Sequence, residues 1–233
     1  MMERRVRYSP LRWKRAFSVL RVGVDEAGRG AVLGPLVISA VLLDKEDEEL
    51  LKSHGVRDSK QMTPQKRFQT YDLILEKAIR SYSVHMSSLS IDKKRKMGLS
   101  MNRIEENHIF DLLKRFQDAE VDAVIIDAFV SKNNRLQTEA SRLFPDIDVL
   151  CEHHADDTYP CVAAASVIAK VERDRAMQSL SEEVGRDLGT GYSHDPLSLA
   201  YIRDFIREHG KPPVIARASW ITTQRILEEE KPS

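Results

Sequence analysis

The chain has 233 residues, 42% of them hydrophobic and 31% charged, which is enough for a sizeable core in one domain with an elaboration or in two domains. Lys plus Arg and Asp plus Glu balance at 36 each, so overall charge does not select a polyanion, and any such partner must be held by a local patch. Cys151 and Cys161 are too few for a disulfide framework and lack metal-ligand spacing, which points to reduced thiols in a cytoplasmic protein with a single bridge left open, and no apolar run approaches the roughly 20 residues that span a bilayer.

Residues 1–18 are basic (Arg4, Arg5, Arg7, Arg12, Lys14, Arg15), but no continuous apolar segment follows them, unlike a secretory signal. A solvated extension is favoured over an organelle transit sequence or an arm that touches nucleic acid. Val22 and Val24, and then Leu36 to Leu43, are aliphatic runs too short for most helices, so two buried strands are expected. The first runs into Asp25-Glu26 and then Ala27-Gly28-Arg29-Gly30. Adjacent acids beside a buried strand raise each other's pKa, and a divalent cation relieves the repulsion. Every nearby donor is oxygen, which favours Mg²⁺ or Mn²⁺. A solvated acid pair capping a hairpin is the competing reading of these two residues alone. Gly28 and Gly30 supply backbone freedom, with positive φ in prospect, so that amides approach a ligand, and Arg29 offers a donor to phosphate.

Thr63 as N-cap and Pro64 in the first turn open a helix over Gln65 to Arg80, with Phe68, Leu73, Leu75 and Ile79 at helical spacing. Tyr82 to Leu89 alternates as a third strand. Met97, Met101, Ile104, Ile109, Leu112, Leu113 and Phe116 give a second helical face. Ala123 to Ile126 is then a fully buried strand ending at Asp127, Asn133 to Phe144 a further helix, and Asp148 to Cys151 a further strand. His153-His154-Ala155-Asp156-Asp157 precedes a helix from Pro160 to Val184, whose Ala163, Ala164, Ala165, Ser166 and Ala169 would let it lie close against the sheet. Helices run to the end.

This order implies an α/β sheet with an antiparallel opening and parallel additions, in which ligands gather outside the carboxyl ends of the strands. An acid ends each of two apolar strands, at Asp25 and Asp127, so a shared site is favoured over two turn-starting residues, with the acids before the Pro160 helix in reach. Zinc on His153 and His154 is disfavoured, because neighbouring residues rarely supply both ligands and no Cys or His partner has the usual spacing. Arg173 and Asp174 read most simply as an exposed or inter-element ion pair.

The sequence resembles the type 2 ribonucleases H, or ribonucleases HII, and more closely their archaeal and eukaryotic-like branch. The resemblance rests on Asp25-Glu26-Ala27-Gly28-Arg29-Gly30 with Gly34-Pro35, Asp58-Ser59-Lys60 leading to Thr63-Pro64, Ile126-Asp127-Ala128 and Ala155-Asp156. It continues in Ala164 to Lys170 with Arg173-Asp174, Gly191-Tyr192, Asp195-Pro196 and a stretch from Pro213 to Trp220. It implies an RNase H-like mixed sheet flanked by helices, with a catalytic domain over residues 19–185 and a helical substrate-binding part over residues 186–233. It also implies an endonuclease, acting as a monomer, that cuts the RNA strand of RNA/DNA hybrids and nicks 5′ of ribonucleotides embedded in duplex DNA. Such an enzyme would remove primer RNA and misplaced ribonucleotides in DNA replication and repair.

Carried over by position, Asp25, Glu26, Asp127 and Asp156 would be the catalytic, metal-binding carboxylates. Gly28, Arg29 and Gly30 would read the ribose 2′-OH largely through backbone groups, Tyr192 would stack on the sugar at the RNA-to-DNA junction, and Lys60 would touch the phosphate backbone. Four acids can hold two Mg²⁺ or Mn²⁺ ions roughly 4 Å apart, one activating water and one stabilising the departing 3′ oxygen. Reading the 2′-OH separates RNA from DNA with little base preference. The chain departs from the family's habit in placing His154 where Lys is frequent, in its longer basic extension, and in a tail, Glu228 to Ser233, without the clamp-binding pattern of Gln and paired aromatics. Two other classes compete. A sugar-kinase or actin-like fold needs further Gly-rich phosphate loops that the sequence lacks, and a silent hybrid-binding module would have no use for four costly acids.

Overall fold

The structure, a computed structural model, describes residues 18–56, 62–127 and 135–230. In chain order the elements are β1 (Leu20–Ala27), β2 (Leu36–Asp44), α1 (Lys45–Ser53), α2 (Pro64–Lys77), β3 (Arg80–Met86), α3 (Ser88–Lys96) and α4 (Met101–Leu113). A 3-10 turn (Lys114–Phe116), β4 (Ala123–Asp127), α5 (Arg135–Leu143), β5 (Asp148–Glu152), α6 (Ala155–Thr158), α7 (Pro160–Val184), α8 (Pro196–His209) and α9 (Ile221–Glu229) follow. The strands form one sheet in the order β3-β2-β1-β4-β5, with β1 parallel to β4 and β4 parallel to β5. This is the expected α/β sheet with flanking helices.

Helix limits follow local chemistry. The Asp44 side chain caps α1 by accepting the Asp47 N–H, and Glu46, Asp47 and Glu48 meet the positive end of its dipole. That helix was not anticipated, although its cap and acidic first turn are visible in the sequence. The helix expected to reach Arg80 stops at Lys77, because the Ile79 N–H bonds to the Leu42 carbonyl at 2.9 Å and Arg80 opens β3. The strand expected to reach Leu89 stops at Met86, where Ser87 caps α3 through the Ser90 N–H. The single helical face from Met97 to Phe116 is broken at Gly98, whose φ of 85° ends α3, and Met97 itself is 79% exposed. Only from Met101 onward does the apolar spacing report one helix.

The described residues divide into two compact units, those within Met1–Glu26, Ile38–Val84 and Glu106–Ala169, and those within Ala27–Val37, His85–Glu105 and Lys170–Ser233. In the first unit a Cβ at Gly23 would overlap the backbone at Cys161, so β1 and the start of α7 lie in close contact, as the small residues of α7 predict. Ala163, Ala164, Ala165, Ser166 and Ala169 have no exposure. Cys151 and Cys161 are buried and unbridged, and burial pushes the Cys151 thiol up to about 12. The core of the second unit joins Val32 and Leu33 to Met177, Leu188, Ile202, Ile206, Ala216 and Ile226.

Candidate metal centre and substrate loop

Strand register brings the acids together. Val24 pairs with Ile126 in the parallel β1–β4 ladder, so Asp25 and Asp127 occupy the next level at the carboxyl ends of their strands. From β5 the chain passes through His154, whose φ of 59° is left-handed, and enters α6 with Asp156 in its first turn. The Asp127 carboxylate accepts the His154 N–H at 3.2 Å and the Asp156 N–H at 3.5 Å, which ties this turn to β4. One carboxylate oxygen from each of Asp25, Asp127 and Asp156 lies within 4.8 Å of the others, with Asp25 and Asp156 buried.

The cluster is electrostatically strained. Burial, then the charge of Glu26, raises the Asp25 carboxyl well above its ordinary range; Asp127 adds to the rise, while a hydrogen bond with Ser166 opposes it. Burial, then the charge of Asp156, raises Asp127. Carboxylates forced together with only oxygen donors suit a hard divalent cation, which would replace mutual repulsion by attraction. Glu26 donates its N–H to Asp25 Oδ1 at 2.7 Å and acts on Asp25 by charge, but it stands outside the close triad. Exposed His154 and Asp157 form a second potential ligand group that shares Asp156.

Of the residues expected to read substrate, Gly28, Arg29, Gly30 and Tyr192 fall in the second unit. Gly28 has φ 86°, and a Cβ there would overlap Arg173 Nε and come within 2.6 Å of the Pro35 carbonyl oxygen, so both backbone and space require glycine. Gly30 is not among the positive-φ residues, and a Cβ there meets nothing within 4 Å. Nothing in the folded chain demands glycine at that exposed position. The Arg29 guanidinium, expected as a phosphate donor, is bonded to Glu105 and Asn102 of α4. Tyr192 lies over the Arg173 guanidinium, 4.8 Å from ring centroid to carbon, and stacks on His194. Lys60, with Asp58 and Ser59, lies outside the described residues, as do Ala128 and the basic extension up to residue 17.

Arg173 differs from the exposed or paired residue expected. It is 3% exposed and donates to the Thr190 and Leu33 carbonyls. Two other contributors escaped the sequence reading. Ser166 was counted as a small packing residue, yet it hydrogen-bonds Asp25. Arg217 lies in the Pro213 to Trp220 stretch, has no exposure, and donates to the carbonyls of Gly28, Arg29 and Gly34. Its sequence neighbours, Ala216 and Ala218, hint that the position is buried, but not what it holds.

Comparison with known proteins agrees with this fold. The profile of the ribonuclease HII family matches residues 22–223. Ribonuclease HII of Methanococcus vannielii is 37% identical over 211 residues, covering 89% of this chain and 85% of the relative. Among solved structures, ribonuclease H2 from Pyrococcus horikoshii superposes with a TM-score of 0.80 at 31% identity, covering 91% of this chain and 99% of that one. RNase HII from Archaeoglobus fulgidus, solved as a complex with PCNA, gives 0.77 at 33% identity over 87% of this chain and 95% of that one.

Proposed function

The chain belongs to the ribonuclease HII family, and from that premise of a metal-dependent endoribonuclease we propose that it cuts the RNA strand of RNA/DNA hybrids and nicks duplex DNA 5′ of an embedded ribonucleotide. The observation that carries this reading is the strained triad, in which Asp25, Asp127 and Asp156 converge and burial raises the first two.

In this reading Asp25, Glu26, Asp127 and Asp156 hold two Mg²⁺ or Mn²⁺ ions. Bound there, the ions supply Lewis-acid chemistry, making water more acidic and stabilising a departing alkoxide. The residues of the chain do the rest. Asp127 fixes the α6 turn through two backbone N–H groups, which sets where Asp156 sits. The loop at Gly28–Gly30 takes the ribose edge, and the open space over Gly30 admits the sugar. Tyr192, held from behind by Arg173, offers its ring to the neighbouring sugar. Products carry 5′-phosphate and 3′-hydroxyl ends. The partner is nucleic acid, the acting unit a monomer, and the setting the cytoplasm; among the described residues no helix is long and apolar enough to cross a membrane. The clamp complex belongs to the Archaeoglobus relative, and the reading here does not require one.

The test is cleavage of a labelled DNA duplex carrying one ribonucleotide, with Mg²⁺, Mn²⁺ or EDTA, by the wild type and by Asp127→Asn. Metal-dependent nicking on the 5′ side, reduced about 10³-fold or more in the variant, is expected. Binding without cleavage under any metal would turn the reading into a silent module, and equal cutting of an all-DNA duplex would reject ribose recognition.

A further inference from the structure

A guanidinium taken out of water needs its donors met, and a carboxylate is the usual partner. Arg217 has no exposure and, among the described residues, no carboxylate in an ion pair with it. The partners of its terminal nitrogens are backbone carbonyls, Arg29 at 2.6 Å from Nη1, and Gly28 at 2.6 Å and Gly34 at 3.3 Å from Nη2, while its buried Nε has none. Its ring neighbour is Trp220, 4.9 Å away. The segment carrying it is pinned in turn, because buried Asp92 accepts the Ala218 N–H at 2.7 Å and the Ser219 N–H at 3.0 Å. The Arg217 N–H itself donates to the Val32 carbonyl.

The geometry of the peptide unit gives these bonds a consequence. The carbonyl of one residue and the N–H of the next point in opposite directions across a trans peptide, and the chain holds no cis bonds among its described residues. When Arg217 draws the Gly28 and Arg29 carbonyls toward itself, it turns the N–H groups of Arg29 and Gly30 the other way. A single planar fork sets two consecutive peptide planes, whereas a lysine, whose three donors radiate from one rotating nitrogen, does not hold them in a fixed plane.

We infer that Arg217 is the positioning residue that aims the Arg29 and Gly30 amides at the ribose 2′-hydroxyl, so that it governs discrimination between ribonucleotide and deoxynucleotide and not the chemical step. The inference rests on the reading of the Gly28–Gly30 loop given above. Asp92 supports the same alignment one step removed, through the backbone on which Arg217 sits.

The test uses the full-length protein with two duplexes of one sequence, identical except for a single ribonucleotide. KM and kcat are measured on the ribonucleotide duplex, and the all-DNA duplex is titrated as a competitor to give Ki. For Arg217→Lys, KM rises about tenfold while kcat stays within about threefold, so the ratio of Ki to KM falls about tenfold with Ki itself unchanged. Dependence of rate on Mg²⁺ concentration is unaltered. An unchanged ratio in a variant that melts cooperatively near the wild-type temperature overturns the inference, as does a loss confined to kcat or to Mg²⁺ dependence. If Arg217→Lys does not melt cooperatively, Asp92→Asn is the deciding variant: a fall of about threefold in the ratio supports the inference, and no fall overturns it. A wild-type enzyme that binds the two duplexes equally rejects the ribose-reading function itself, whatever the variants do.

Discussion

The acid triad and the buried arginines solve opposite problems. Asp25, Asp127 and Asp156 gather like charges in one place, and burial drives the first two away from their charged forms. Arg217 and Arg173 are also buried like charges, and burial, then the charge of Arg173, pulls Arg217 below its ordinary value, yet the terminal nitrogens of each are met by carbonyls that the fold presents, which leaves only each Nε without a partner. The first region is left electrostatically incomplete, and in the proposed reading metal ions complete it; the second is largely completed by the chain and fixes a shape. The proposed function divides along the same line, with chemistry assigned to the strained region and recognition geometry to the largely satisfied one.

The largest effect expected from breaking this division is on turnover. Asparagine at Asp25 or Asp156 should lower cleavage about 10³-fold or more, with KM for the ribonucleotide duplex changed far less, as steady-state kinetics will show. Arg217→Lys is the mirror image, altering KM and sparing kcat. Should both classes of variant change kcat alike, the division fails.

Next in size is a contrast inside the loop. Gly28→Ala forces a Cβ into Arg173 at a φ of 86°, so chemical denaturation should report a loss of about 2–4 kcal/mol. Gly30→Ala meets open space and should cost under about 0.5 kcal/mol, while weakening binding of the ribonucleotide duplex about tenfold or more. Equal stability losses would remove the distinction between a glycine required by the fold and one required by a ligand.

The smallest effect concerns the metal-free protein. Asp25 has a folded pKa above its unfolded one, so the folded state holds a proton that the unfolded chain releases first. Its contribution to stability is therefore fullest below about pH 4 and is lost as pH rises through the elevated folded value. In EDTA at pH 7, Asp25→Asn should be more stable than wild type by about 1 kcal/mol, and the two should converge in acid. Excess Mg²⁺ should stabilise the wild type by about 2–3 kcal/mol at a hundredfold of its dissociation constant and reverse the order. Thermal melts at several pH values check each part; a variant less stable than wild type in EDTA would mean that the acid cluster is not strained.

The sequence by itself determined the strands, because runs such as Val22 to Val24, Leu36 to Leu43 and Ala123 to Ile126 are too short and too aliphatic to be much else, and it determined α7 from Pro160 to Val184 to the residue. It also marked the acids at strand ends, since a carboxylate after a buried run is conspicuous in one dimension. Boundaries set by a distant partner were not legible: the end of α2 depends on a bond from Ile79 to Leu42, and the break at Gly98 on a backbone turn inside an otherwise helical pattern. Only tertiary structure decided which acids converge, because that follows from the register of β1 on β4 and from a left-handed turn at His154, a residue type that does not announce one. Only tertiary structure, too, made Arg173 and Arg217 buried anchors. Arg173 lies between Glu172 and Asp174, which do not betray its burial, and although Ala216 and Ala218 hint at the burial of Arg217, the partners of both arginines are carbonyls, which every residue possesses and no sequence distinguishes.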